Sequence, residues 1–287
     1  MERGRMIFDP TPCMLGEGPL WHDGRAELIW FDIVNRRMFA RGLDAAQAQR
    51  WDFDSMVSAA GIVDDTRLIV ASETALSVFD LTSGASVRLC DLEPDRPDIR
   101  SNDGRADRQG GFWIGTMGKQ AQPGAGSIWR WYRGELRRLF SGLTITNAIC
   151  FSPDGRFAQF TDTVARVIWR VELDAEGWPQ GQPAALIDLS ATDLNPDGAV
   201  TDAGGHIWVA QWGAGRVARY DGAGAYVGQV AVPVAQPSCP AFGGADLTTL
   251  FVTTARQDLA DPRAADGAVF ALPNTGTGLP EGRVLLP

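Results

Sequence analysis

Histidine is nearly missing from this chain: His22 and His206 are the only two among 287 residues. Without a third histidine or an H-E-x-x-H run, a histidine-rich zinc protease site lacks its parts, and without G-x-S-x-G so does an α/β-hydrolase nucleophile elbow. Both histidines fall at turn-to-strand positions beside tryptophans, Trp21 and Trp208, where a solvated or structural role is expected. The four cysteines, Cys13, Cys90, Cys150 and Cys239, lie far apart with no C-x-x-C pair. That excludes a zinc knuckle or a dithiol redox motif and leaves reduced thiols. No run of about 18 apolar residues occurs, and Met1 to Arg5 leads into no apolar export segment. The expectation is a cytoplasmic protein with no membrane partner. Positive charge is short as well, with 26 Lys and Arg against 35 Asp and Glu and a formal net charge of −9. A nucleic-acid partner would need a basic face, so none is expected.

What is present is a repeat. Tight Asp/Gly-type turns begin at Asp23, Asp64, Asp107, Asp154, Asp202 and Gly244, spaced 41, 43, 47, 48 and 42 residues apart. Each is followed by a short apolar strand, such as Leu28 to Phe31, Phe112 to Ile114 or Ile207 to Val209, and then by a second alternating strand, as in Val167 to Val171 and Arg216 to Tyr220. This period belongs to arrays and propellers, and each unit reads as a small antiparallel sheet. Six such sheets must stack to bury their faces, which uses the whole length, residues 1–287, in one domain. The expected fold is all-β, a closed six-bladed β-propeller. Its 10 Trp and 13 Phe, concentrated in strands, are expected to pack between blades. The short strand-like ends Arg5 to Phe8 and Val284 to Leu286 are candidates to complete the last blade. Gly213 to Ala218 resembles a dinucleotide fingerprint but lies between two strands with no helix, and is expected to be a hairpin turn.

Aligning the units on their turns places Glu17, Asn102, Asn147 and Asp197 at nearly one position in four blades, six, five, seven and five residues before their turns. The other two units carry Ser58-Ala59-Ala60 and Ser238-Cys239-Pro240, small residues that leave room. In a propeller the first strand of each blade lines the central channel, so these side chains converge on one mouth. Two carboxylates and two amides brought together are unfavourable unless protons or a cation neutralise them. Oxygen ligands select a hard divalent ion such as Ca²⁺, Mg²⁺ or Mn²⁺. The plainer reading is that these Asp and Asn residues cap turns.

Several motifs carry a resemblance: Leu15 to Trp21 (LGEGPLW), Arg100 to Gly104 (RSNDG), Gly115 to Met117 (GTM), Ile145 to Asn147 with Phe151 to Gly155, and Pro196 to Gly198 with Ile207 to Ala210. Over essentially its whole length the chain resembles the regucalcin (senescence marker protein)/gluconolactonase family, six-bladed propellers that hydrolyse sugar lactones with one divalent metal. The resemblance implies that Glu17, Asn147 and Asp197 are metal ligands, that Asp197 is also the general base or water-orienting group, and that Arg100 and Asn102 hold substrate oxygens. Ca²⁺, Mg²⁺, Mn²⁺, Zn²⁺ and Fe²⁺ all stay open as the metal, as does the oligomeric state. Three departures stand out. Ala148 follows Asn147 where a glycine is usual, and Gly118-Lys119-Gln120 stands where many members carry acidic residues. The segment Gln211-Trp212-Gly213 is nearer to bacterial pentonolactonase-like members. Lys119 is therefore either a candidate substrate-binding residue that, with Arg100, would make the mouth positive and favour carboxylated lactones, or a residue of a solvated loop pointing away. The small-molecule substrate expected is a sugar lactone opened to its acid. Rival readings are an aryl esterase or organophosphate-type hydrolase on the same scaffold, and a non-catalytic calcium-binding propeller.

Overall fold

The computed structural model describes residues 7–287. Among these residues there is no helix, and hence none long and apolar enough to cross a membrane. Their strands form six four-stranded antiparallel sheets, five of them ordered sequentially from an inner to an outer strand and the sixth taking its outer strand from the N-terminal end of the described residues. The inner strands are Gly16–His22, Val57–Ile62, Ile99–Ala106, Thr146–Phe151, Asn195–Thr201 and Pro237–Gly243, which define blades one to six. Each packs beside the next, and the sixth returns to the first, so the ring is closed.

The sequence builds each blade in the same way. Inner strands are buried along almost their whole length, whereas outermost strands such as Ser86–Asp91 and Tyr226–Ala231 are largely exposed. Apolar side chains collect in a cluster at each blade-to-blade contact, with a small further one of Leu15, Ile33 and Ala255; Leu20, Phe31 and Met38 of blade one, for example, meet Val57, Leu68 and Phe79 of blade two. Burying a side chain of this size contributes about 1.5–3 kcal/mol, which explains why the tryptophans and phenylalanines sit here. The repeated Asp turn has a clear role in blades three and five. Asp107 accepts the Gly111 amide at 2.7 Å and the Trp113 indole at 3.1 Å; Asp202 accepts the His206 amide and the Trp208 indole, both at 2.9 Å. One carboxylate thus closes the turn and fixes the aromatic ring that follows it.

The seam needs one correction. The N-terminal strand Ile7–Asp9 completes blade six by pairing with Val269–Leu272, with Phe8 packed on Trp30 and Phe251; Arg5 and Met6 lie outside the described residues. Val284 to Leu286 does not join that blade. The segment around it crosses the face opposite the cavity described below: the Val284 amide donates to Ile62 O at 2.7 Å, Leu285 to Gly110 O at 2.9 Å, and Glu281 pairs with Arg105. Blade six already has its four strands with Ile7–Asp9 in place, whereas the channel floor offers backbone carbonyls and an apolar seat for Val284.

Candidate active site at the channel mouth

All six inner strands are irregular at one place. Their registers shift between Glu17 and Leu20, Val57 and Ala59, Ser101 and Gly104, Asn147 and Cys150, Pro196 and Ala199, and Pro237 and Cys239. A bulge bends its strand and re-aims a side chain. Here the six bulges form a ring, and at four of them the re-aimed side chain is Glu17, Asn102, Asn147 or Asp197. Backbone conformation shows what each bulge needs. Gly18, after Glu17, has φ +54°, and a Cβ there would lie 2.3 Å from Ser58 O. Ala148, after Asn147, has the same φ of +54°, so alanine stands here in a left-handed conformation that glycine adopts more readily. Gly198, after Asp197, is required by space, since a Cβ would meet Cys239 Sγ at 2.3 Å.

Carboxylates at the ends of the second strands hold these bulges from outside. Asp32 accepts the Met14 and Leu15 amides at 3.0 and 3.1 Å, just ahead of Glu17, and Asp162 accepts those of Thr144 and Ile145 at 2.8 and 3.0 Å, just ahead of Asn147. Glu73 likewise accepts the Met56 amide at 3.2 Å.

Glu17, Arg100, Asn102, Asn147 and Asp197 line one cavity of about 480 Å³, with Lys119 at its side. A polar chain ties three blades together there. Arg100 Nη1 donates to Asn102 Oδ1 at 2.6 Å and to Ser101 O at 3.0 Å, and Asn102 Nδ2 donates to Asn147 Oδ1 and to Thr146 O, both at 2.9 Å. Asn147 Nδ2 donates to Thr163 Oγ1 at 2.9 Å, and that hydroxyl donates to Pro196 O at 2.8 Å, one residue before Asp197. The orientation of the Asn147 amide is therefore set: its nitrogen donates to Thr163, and its oxygen, which accepts from Asn102, keeps one lone pair for the cavity that Asn147 lines.

The electrostatics follow from burial. Glu17, Asp197 and Arg100 are all buried, and among the described residues neither carboxylate has a cationic side chain within ion-pair distance. Burial, then the charge of Asp103, pushes Glu17 up to about 8 against the pull of the Gly18 amide and Arg100. Burial, then Glu17 and Asp103, holds Asp197 well above the usual carboxylate range. Burial lowers Arg100 to about 10. Two buried carboxylates outside any ion pair, with one guanidinium in the same cavity and an oriented amide oxygen beside them, fit a hard divalent ion: all donors are oxygen, and such an ion would supply the missing charge. No cluster of three or more acidic, His or Cys side chains occurs among the described residues, so a ligand set here needs the amide.

Lys119 is in the cavity wall, but its Nζ lies 2.7 Å from Glu73 Oε2. The expectation of a positive mouth is thereby corrected, because Glu73 compensates that ammonium. Ser58 and Ser238 turn to neighbouring inner strands, donating to Ser101 Oγ at 2.8 Å and to Gly16 O respectively. The sequence reading passed over Thr163, Glu73 and Asp103. Asp103 is buried and accepts the Ile149 amide at 2.7 Å, bracing the Asn147 bulge from the next blade. Glu73 and Asp162, each closing an apolar second strand, were the available signal.

A six-bladed propeller whose channel mouth gathers buried carboxylates, amides and a guanidinium defines a class of small-molecule-binding propellers. Within it, the chain belongs to the family described as the SMP-30/Gluconolactonase/LRE-like region, whose model matches residues 15–256. It is 42% identical over 90% of its length to a Rhizobium meliloti protein provisionally named a sugar lactone lactonase, 89% of which is covered. It is 36% identical over 96% of its length to the L-arabinolactonase of Azospirillum brasilense, covering 94% of that protein. The crystal structure of a calcium-binding protein, regucalcin, from Agrobacterium tumefaciens superposes with a TM-score of 0.96 at 38% identity, over 99% of this chain and 98% of that one.

Proposed function

We propose that the protein hydrolyses a sugar lactone to the corresponding sugar acid, with one divalent metal ion held by Glu17, Asn147 and Asp197. The observation that carries this reading is the pair of buried carboxylates at the channel mouth, neither in an ion pair among the described residues, beside the fixed amide of Asn147. Family membership and the lactonase names of the relatives support the reaction class.

When bound, the ion would supply charge stabilisation for the lactone carbonyl and lower the pKa of a water molecule. The chain's own groups do the rest. Arg100 and Asn102 hold substrate oxygens, the guanidinium having donors to spare beyond Asn102 Oδ1 and Ser101 O. Asp197 accepts the proton of the water that attacks the carbonyl carbon. As the ring C–O bond breaks, the departing ring oxygen takes that proton and leaves as a hydroxyl, so the product is the open acid. Trp212, Met56 and Met117 give the C–H face of the sugar an apolar wall.

The test is a panel of pentono-, hexono- and aldarolactones followed by acid release, with and without chelator, against the spontaneous rate. Metal-dependent opening of at least one aldonolactone is expected. No opening above the blank with any divalent ion overturns the reading.

A further inference from the structure

Two loops overhang the cavity from opposite sides of the ring. One spans residues 119–125 in blade three, the other residues 255–268 in blade six, and blades three and six are three steps apart in a ring of six. Lys119 and Gln120 from the first loop and Gln257 and Asp258 from the second line the cavity. Their charges are treated differently. Lys119 is paired with Glu73, itself fixed by the Met56 amide. Asp258 is exposed, its side-chain contact is Gln257 Nε2 at 3.4 Å, and among the described residues no cation pairs with it.

The blade-six loop is held where it meets the cavity. The Arg256 and Gln257 amides both donate to Met14 O, at 3.1 and 2.9 Å, and the Leu259 amide donates to Arg256 O at 3.2 Å. Asp258 itself sits at φ +61°, a left-handed conformation that Asp adopts more readily than most residues. The carboxylate is thus presented by a tethered backbone at the edge of the cavity.

Building on the lactonase reading, we propose that Asp258 is a specificity-determining residue: an uncompensated carboxylate at the rim that admits neutral sugar lactones and repels carboxylate-bearing ones. With a divalent ion matching Glu17 and Asp197, and Glu73 matching Lys119, the charges left over are Arg100 deep in the cavity and Asp258 at its edge. An anionic substrate meets Asp258 first. A neutral one finds an acceptor for its hydroxyls there, with the Gln257 and Gln120 amides alongside.

The metal-loaded protein is assayed with a neutral aldonolactone and its carboxylated counterpart, in wild type, Asp258→Asn and Glu73→Gln, at low and high salt. Asparagine tolerates the left-handed backbone, and glutamine keeps an oxygen for the Met56 amide, so both variants retain the local fold. Each should raise kcat/KM for the carboxylated lactone relative to the neutral one by roughly three- to tenfold at low salt, mainly through KM, with the gain shrinking as salt rises. Affinities for sugar lactams with and without a carboxylate, measured by calorimetry, should move in the same direction without any turnover. A wild type that prefers the carboxylated compounds, or a ratio unmoved in Asp258→Asn, overturns the proposal, whatever Glu73→Gln does. If no lactone is opened, the lactonase reading falls and the lactam affinities alone decide the role of the rim.

Discussion

Asn147 Nδ2 donates to Thr163 Oγ1 at 2.9 Å, and that hydroxyl in turn donates to Pro196 O at 2.8 Å. One threonine thus sets which way a candidate ligand amide points and ties it to the strand carrying Asp197. Thr163→Val should weaken divalent-metal affinity by about tenfold or more, in the manner of other groups that orient ligands. It should also cost about 1–3 kcal/mol through the unpaired Pro196 carbonyl. Thr163→Ser should restore both, as read by calorimetric metal titration and Tm. Unchanged metal affinity in the valine variant would show that the amide needs no such support.

Exhaustive chelation should abolish lactone opening, and a divalent ion should return it, because the donors gathered at the mouth are oxygens suited to a hard cation. Residual opening above the uncatalysed rate after metal removal would refute the metal requirement.

Asp197→Asn keeps the shape while removing the proton acceptor and a ligand charge, so turnover should fall by about 10²–10⁴-fold or more. The metal-free variant should be no less stable than wild type, since burial and the charge of Glu17 already disfavour the ionised carboxylate. Kinetics and thermal melts on one preparation separate the two effects; near-normal turnover with metal bound would remove Asp197 from the mechanism.

The raised Glu17 carboxyl makes stability depend on pH. Its usual value is 4.5 and in the metal-free fold it is about 8, so between those values the folded state binds more protons than the unfolded one. Stability should therefore decline as pH rises from about 4.5 toward 8 through this group, with Asp197 acting in the same direction. A bound divalent ion should remove that penalty and release protons, so the rise in Tm on adding metal should be larger at pH 8 than at pH 6. An equal rise at both values would mean that Glu17 does not titrate in this window.

The blades were legible in the sequence because one Asp-centred turn, repeated at nearly even spacing, precedes each apolar strand. The side chains lining the cavity were legible because Glu17, Asn102, Asn147 and Asp197 lie five to seven residues ahead of those turns, at strand positions the six bulges turn in a common direction. Lys119 was misjudged in charge because its partner, Glu73, comes from the neighbouring blade, and no local pattern links the two. The same holds for Thr163, whose hydroxyl acts between blades four and five, and for Asp258, brought to the mouth by a loop with no repeat to align it. The path of Val284 to Leu286 escaped for a related reason: it pairs with carbonyls of Ile62 and Gly110, in blades distant in sequence.

The closure of blade six by Ile7–Asp9 has a consequence for biosynthesis. Ile7 pairs with Phe270, so this strand waits during synthesis for one made more than 250 residues later before its hydrogen bonds can form. At about 5–20 residues per second that wait lasts on the order of tens of seconds. Meanwhile Phe8 lacks Phe251, and the earlier blades stand as an open stack with apolar edges at both ends. The nascent chain is thus exposed to wrong association until blade six packs on blade one, and the docking of Ile7–Asp9 then covers the outer edge of Val269–Leu272.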